Sequence, residues 1–325
     1  MTLRELGEFG FLDRLATGLR APRDVEVGVG DDCAVVRSGR RRWLLTTDTM
    51  IEGVHFRLGW DTADGLGRKA FAVNASDVAA MGGEARFALL SVAVPNRTSA
   101  AELERFHRGF VRAAGAAGCA LVGGNLSAAP QWMITVTLVG ETEYPPLTRA
   151  GAKPGDRIYV SGTLGGAAFA RSLLLAGRRP PPSVSRPWRR PTPRLALGRM
   201  LAARALASAA IDLSDGLIQD LGHVCRASGV GAEVEASRVP LAAAVRTQRP
   251  GRRLALGFAG GEDYELLFTV PRARLARLDR TARVSGRRVP RLTAIGEIVS
   301  GAGVSVLDDR GAAVEIAGGF DHYRR

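Results

Sequence analysis

The chain has 325 residues, 46% of them hydrophobic, which is enough for two domains with substantial cores and unlike a disordered or fibrous composition. The formal charge of +13 rests on scattered arginines, clustered only at Arg40–Arg42 and Arg186–Arg190, so nucleic acid is not an expected partner. No run approaches the roughly 20 apolar residues of a spanning helix, and Cys33, Cys119 and Cys225 form no close pair, which together predict a cytoplasmic protein with reduced thiols and no membrane partner.

The N-terminal stretch MTLRELGEFGFLDRL reads as a short amphipathic helix. Arg42–Thr47 is a short strand that ends in polar residues. Apolar residues at helical spacing predict a helix over Gly65–Met81. Arg86–Val94 reads as a buried strand stopped by Pro95, and Ser99–Gly115 as a helix. Strands are predicted at Ala120–Val122 and Trp132–Val139, with the pair Gly123–Gly124 between them. A domain boundary is expected near Tyr144–Pro146, dividing the chain into 1–146 and 147–325. Beyond it, Lys153–Thr163 is a turn and a strand, and Gly162–Gly166 leads into a helix to Leu175. The Pro- and Arg-rich segment Arg178–Arg194 is expected to be an exposed connection, followed by a helix over Leu195–Ser208. A short GGFDHY tail ends the chain.

The informative residues are acidic and lie at strand ends or tight turns. They fall in Gly28–Asp32 (GVGDD), Thr46–Thr49 (TTDT), Asn74–Asp77 (NASD), Asp212–Asp215 (DLSD) and Gly260–Asp263 (GGED). Oxygen ligands without nearby Cys or His favour a hard cation such as Mg²⁺, held by a few carboxylates together with substrate phosphates. Adjacent glycines let phosphates approach the backbone. Each motif alone also reads as a turn, a strand end or a helix cap. Five on one chain favour phosphate–magnesium chemistry.

The P-loop and the protein-kinase motif set are both absent, so any ATP is held by another architecture. There is no G-x-S-x-G, and His55, His107, His223 and His322 lack metal-ligand spacing. His107 and His223 read as surface or satisfied polar residues. His55, close behind TTDT, is a candidate for the site.

In order along the chain, GVGDDCAVV, TTDTMIEGVHF, KAFAVNASDVAAMG, RAGAKPGDRIYVSG, IDLSDGLIQDLGH and GGEDYELLFTV resemble the thiamine-monophosphate kinase family, within the aminoimidazole ribonucleotide synthetase-like superfamily. The match runs from about Gly7 to His322. It implies an α/β (α+β) fold: an N-terminal half-barrel sheet that pairs with a second subunit in a homodimer, and a C-terminal α/β domain packed against it. It also implies ATP-dependent phosphorylation of thiamine monophosphate to thiamine diphosphate, assisted by several Mg²⁺ ions.

Residue by residue, the resemblance makes Asp32, Asp48, Asp77, Asp212 and Asp215 metal ligands, joined by Thr46 and Thr47 through hydroxyl or backbone oxygen. Arg149 and Ser214 become ATP contacts, and Gly123 and Gly124 let the nucleotide approach the backbone. His55, Glu262 and Phe320 become contacts for thiamine monophosphate, with the Phe320 ring stacking on its cationic heterocycle. One departure stands out. The family often has Asp after the middle glycine pair, where this chain has Asn125, which keeps an oxygen for metal or ATP but loses a charge. Another ATP-dependent enzyme of the superfamily and a non-catalytic nucleotide-binding relative remain alternatives.

Overall fold

The computed structural model describes residues 2–286 and 289–316. Two six-stranded sheets organise it. The N-terminal half contains α1 (Leu3–Leu6), α2 (Glu8–Ala16), β1 (Val25–Val27), β2 (Ala34–Ser38), β3 (Arg41–Ile51), α3 (Ala63–Ala80), β4 (Glu84–Val94), α4 (Ala100–Ala116), β5 (Ala120–Ala128) and β6 (Met133–Thr142). Its strands lie in the order β1-β2-β3-β6-β4-β5, antiparallel except for the β4–β5 pair.

The C-terminal half contains β7 (Arg157–Ser161), α5 (Gly166–Leu175), α6 (Pro182–Arg189), α7 (Leu195–Ala203), β8 (Ala209–Asp212), α8 (Leu217–Ser228), β9 (Gly231–Glu235), α9 (Ala243–Arg246), α10 (Pro250–Phe258), β10 (Leu266–Val270), α11 (Leu275–Ser285), β11 (Leu292–Val299) and β12 (Gly303–Leu307). Here the order is β12-β9-β11-β7-β10-β8, with only β12–β9 parallel. No helix among the described residues is long and apolar enough to cross a membrane.

The first sheet is covered on one face only. Side chains alternate across a strand, so even positions of β6 (Ile134, Val136, Leu138) are buried under α3 and α4. Odd positions of β6 and of its neighbours β3 and β4 face outward, and Leu45, Phe87, Leu89 and Met133 are exposed there. This corrects the reading of Arg86–Val94 as a buried strand: its apolar run serves both faces of a half-covered sheet. The strand after α4 is also longer than expected. β5 continues through Gly123–Gly124 to Ala128, with a register shift opposite Ala88/Leu89.

Helix α3 starts at Thr62, whose hydroxyl accepts the Gly65 N–H at 3.1 Å, and it is buried on nearly every side. α4 lies along one flank, where a Cβ on Gly67 would stand 2.0 Å from the Phe106 carbonyl oxygen. α7 lies along another, where a Cβ on Gly198 would stand 1.9 Å from the Ala79 carbonyl oxygen. These close approaches wedge α3 between the two sheets, with Ala79 and Ala80 packed in one cluster with Leu197, Leu201, Ala210 and Phe268.

Two further expectations are corrected. The 178–194 segment is not a simple exposed connection: it contains α6, whose Val184 and Trp188, four residues apart on one face, are 1% and 2% exposed. Pro182 opens that helix, where its missing N–H costs nothing. The helix expected to reach Ser208 ends at Ala203, and the chain then turns through Ala205 (φ +43°) to bury Leu206.

Candidate functional site

Strand β3 carries Thr46 and Asp48 on its covered face and Thr47 on its outer face, as the period of two demands. The adjacent helix α3 answers it. Asn74 Oδ1 accepts the Asp48 N–H at 3.0 Å, and the Thr46 hydroxyl donates to Asp77 at 2.6 Å. The TTDT and NASD motifs are therefore one interlocked unit, because Asn74 and Asp77 stand about one helical turn apart. Thr47 turns away: its hydroxyl donates to the Val136 carbonyl at 3.1 Å and meets the Thr137 hydroxyl at 3.2 Å.

The wedge of α3 against the second sheet brings Asp77 to Asp212, the last residue of β8. The loop before β2 adds Asp32. Oxygens of Asp32, Asp77 and Asp212 lie within 4.8 Å of one another. Three buried carboxylates this close repel in their charged forms. Burial raises all three, and the neighbours add to it: Asp212 is pushed up to about 8 by burial and Asp32, and Asp77 goes well above its ordinary value through burial, Asp48 and Asp212. Asp32 is raised by burial against the pull of Arg149, whose guanidinium donates to it at 2.5 Å. Among the described residues, one oxygen each of Asp32 and Asp212 is buried without a hydrogen-bond partner. Two orphaned carboxylate oxygens beside a third carboxylate, brought together from three segments, fit a hard divalent cation.

The surrounding loops are pinned. Asp31 accepts the Arg149 N–H at 3.0 Å and is raised to about 6, by burial first and then by Asp32. Asp220 accepts the N–H groups of Asp215 (3.2 Å) and Gly216 (3.0 Å), which holds the DLSD turn at the start of α8. Asp215 receives Gln219 at 3.0 Å and is raised to about 6 by burial and then by Glu8. The GGED loop is laced to the same turn, with Glu262 N–H donating to the Ser214 carbonyl at 2.8 Å. Glu262 and Tyr264 sit at φ +69° and +50°, a conformation that costs on the order of 1–3 kcal/mol and persists only where the surroundings impose it.

A cavity of about 680 Å³ opens over this cluster. Of the residues expected at the site, Asp32, Thr46, Thr47, Asp48, Asp77, Asp212 and Asp215 line it. So do Arg149, Ser214, His55 and Glu262. His55 Nδ1 accepts the Ile51 N–H at 3.0 Å, which leaves the proton of a neutral ring on Nε2. Gly123, Gly124 and Asn125 are not brought to the cavity. They lie exposed on edge strand β5, and the Cβ direction of Gly124 is filled by the Leu90 carbonyl oxygen at 1.9 Å, so β4 already accounts for that glycine. Phe320 lies outside the described residues.

Several cavity residues escaped sequence reasoning. Lys69, 4% exposed, donates to Glu262 at 2.8 Å and stands 4.3 Å from the centre of the Trp188 ring. The Trp188 indole N–H donates to the other Glu262 oxygen at 3.0 Å. Burial pushes Glu262 up, but Lys69 and Trp188 together outweigh it and hold the carboxyl below its usual value. A signal for Lys69 was available: it is one of only two lysines among 45 basic residues. Glu8 and Asp31 also line the cavity. Asp263, by contrast, is a structural cap: it accepts the Gly165 and Ala167 N–H groups at the start of α5, at 2.6 and 3.2 Å.

Comparison with known proteins finds matches to both halves of the chain. Residues 30–142 match the N-terminal domain of the AIR synthase related proteins, and residues 153–309 match their C-terminal domain. The thiamine-monophosphate kinase of Escherichia coli (strain K12) is 38% identical over 330 residues, covering 98% of each chain. That of Aquifex aeolicus (strain VF5) is 37% identical over 279 residues, covering 84% of this chain and 89% of its own. A solved structure of AaThiL complexed with AMPPCP and TMP superposes with a TM-score of 0.86 at 36% identity, covering 99% of both chains. The chain belongs to the thiamine-monophosphate kinase family, built on the two AIR synthase related domains.

Proposed function

We propose that the protein transfers the terminal phosphate of ATP to thiamine monophosphate, giving thiamine diphosphate and ADP. The observation that carries this reading is the convergence of Asp32, Asp77 and Asp212, from both halves of the chain, beneath a cavity that also holds Arg149, His55 and Glu262. A relative solved with AMPPCP and TMP, at 36% identity over the whole chain, supports it.

Asp32, Asp48, Asp77, Asp212 and Asp215 are the residues that would hold Mg²⁺ ions, with Thr46 orienting Asp77 and Thr47 offering only its backbone oxygen. Bound there, Mg²⁺ supplies neutralisation of two approaching phosphates and of the charge spread in the transition state. Arg149 and Ser214 serve the nucleotide, and Glu262 and His55 the thiamine side; Phe320 is assigned there from the family resemblance alone. The acceptor phosphate has its second pKa near 6, so its oxygen is already ionised at neutral pH and needs no general base. We read the transfer as direct and in line: the acceptor oxygen bonds the γ-phosphorus as the bond to the β-phosphate oxygen breaks, and ADP carries away that electron pair.

The same reading assigns nucleotide and metal chemistry to residues 1–146 and completion of the site to 147–325, in a cytoplasmic enzyme. We also infer a homodimer paired through the bare face of the first sheet. Gly123 and Asn125 share that face with Leu89 and Ser91, so nucleotide contacts from them belong to a subunit junction rather than to the cleft of one chain.

The deciding experiment is thiamine diphosphate formation by the purified protein from thiamine monophosphate, ATP and Mg²⁺, with a metal-free control and with thiamine as a rival acceptor. Metal-dependent product from the monophosphate alone supports the reading. ATP turnover without thiamine diphosphate overturns it. A phosphoprotein trapped during turnover would overturn direct transfer.

A further inference from the structure

The arginine cluster Arg186–Arg190 has no part in the chemistry above, and the fold gives it a place of its own. Helix α6 is two-sided. Its inner face buries Val184 and Trp188, and its outer face helps to line a second cavity of about 630 Å³ with Arg179, Arg186, Arg189, Arg190, Ser185 and Asp61. None of these residues lines the acidic cavity. The volume falls within the range of small-molecule sites, roughly 300–1,000 Å³.

Four guanidinium groups therefore share one concavity with one carboxylate. Among the described residues, Arg179, Arg186 and Arg190 make no ion pair, and Arg189 Nε stands 3.9 Å from Asp61, too far for a hydrogen bond. Among the described residues that Nε, which is buried, has no hydrogen-bond partner. The neighbouring wall is three consecutive prolines, 180–182, whose fixed φ angles leave little to order on binding. Guanidinium forks match phosphate oxygens in paired hydrogen bonds. Several forks in one hollow fit a chain of phosphates better than a single one.

We propose that this cavity binds a diphosphate- or triphosphate-bearing anion at a site separate from the acidic cleft. The site also has a physical link to the cleft. α6 reaches one residue of the cleft's lining: Trp188 on its inner face donates to Glu262, and Trp60, adjacent to Asp61, packs edge-on against Trp188 with ring centres 5.9 Å apart. An anion gripping Arg186 and Arg189 fixes the helix that positions Glu262.

The test is equilibrium dialysis of the full chain against radiolabelled inorganic pyrophosphate in Mg²⁺, with AMPPCP and thiamine monophosphate held at the lowest concentrations that fill the cleft. The wild type is compared with Arg179→Gln/Arg186→Gln, a double change at exposed positions that far-UV circular dichroism should find folded. The expected result is one pyrophosphate per wild-type chain and binding at least about tenfold weaker in the variant. Displacement by thiamine diphosphate or by further AMPPCP then tells a diphosphate ester from a nucleotide as the occupant. Equal binding by the two proteins, no binding beyond the cleft, or equal displacement by orthophosphate overturns the proposal. The readout is binding, so it stands or falls apart from the kinase reading.

Discussion

Lys69 and Glu262, 193 residues apart, meet as a buried ion pair at 2.8 Å across the junction of the two halves. Trp188 closes the arrangement: its ring lies beneath the ammonium, and its N–H takes the second carboxylate oxygen. Lys69 is one of only two lysines in an arginine-rich chain, and its slot, where it is 4% exposed, suits a compact ammonium over an indole face better than a planar fork. Glu262 is thus presented to the cavity as a rigid carboxylate. Trp188→Phe keeps the ring but deletes the N–H. It is expected to raise KM for thiamine monophosphate by about tenfold, the loss of one charge-assisted hydrogen bond, while KM for ATP and kcat stay near normal. Steady-state kinetics in both substrates checks this, and in a Glu262→Gln background the same change should have little further effect.

Lys69→Met asks the energetic question. It leaves the Glu262 carboxylate largely buried without its cation, so a loss of about 3 kcal/mol of stability is expected in urea unfolding. The double variant Lys69→Met/Glu262→Gln should recover much of that loss, since it removes the orphaned charge.

Asp212→Asn separates a metal ligand from a structural carboxylate, because the two roles predict opposite signs. Removing one of three crowded buried carboxylates relieves repulsion, so the metal-free variant should melt higher than the wild type. Mg²⁺ should then stabilise it much less than it stabilises the wild type, and turnover should fall by at least about a hundredfold. Thermal melts with and without Mg²⁺ read the first two effects.

The same cluster sets a pH dependence. Asp212 is raised from about 4 to about 8, and Asp31 and Asp215 to about 6. A carboxyl whose folded pKa lies above its unfolded value holds its proton better when folded, so its stabilisation is complete below about pH 4 and is lost as pH rises to about 8. Metal-free protein is therefore expected to lose stability between pH 5 and 8, and the rise in Tm on adding Mg²⁺ is expected to grow over that same interval. Melting curves across this range, with and without chelator, check both slopes.

How much of this was legible in the sequence depended on whether a residue's job is local. Asp77 and Asn74 announce themselves because a polar pair one turn apart inside an apolar helix needs partners, and the acidic motifs carry their glycines with them. The apolar pattern located α3, α4 and the five strands β3 to β7. What stayed hidden is long-range. Nothing in the local pattern of PSVSRPWRR says that Trp188 is pinned by a glutamate 74 residues later, so a Pro- and Arg-rich stretch read as an exposed connection. Asp263 and Glu262 are adjacent and look equivalent, yet the left-handed backbone at Glu262 sends one carboxylate to the cavity and the other to the start of α5. Gly124 looked like a phosphate-approach glycine, whereas its missing side chain makes room for β4.

The junction of the halves also yields a packing expectation. Gly198 lets α7 press against α3, with no space for even a methyl group beside the Ala79 carbonyl. Gly198→Ala should improve helix propensity yet destabilise the protein by about 1–3 kcal/mol, the ordinary cost of overpacking. Because α3 carries Asp77 and α7 packs below the second sheet, the shift should also weaken Mg²⁺ binding, measured as a higher Mg²⁺ concentration for half-maximal turnover.

The bare face of the first sheet supplies the last expectation. Phe87 and Leu89 on β4, Leu45 on β3 and Met133 on β6 stand on one surface, with Thr49 and Thr135 bonded to each other at 2.9 Å among them. Exposed apolar side chains set among hydroxyls on an uncovered sheet face suit an interface. In a twofold dimer each substitution acts twice, because the same patch meets itself. Leu89→Asp therefore places two carboxylates in the proposed interface while leaving the packed face of the monomer untouched. Light scattering should show the wild type at twice the 34.4 kDa chain mass and the variant at the chain mass. Since Gly123 lies directly beside Leu89 in the sheet, the monomeric variant should also bind ATP more weakly while retaining Mg²⁺-induced stabilisation of its own acidic cluster. A variant that is monomeric but binds ATP normally would place the whole nucleotide site within one chain.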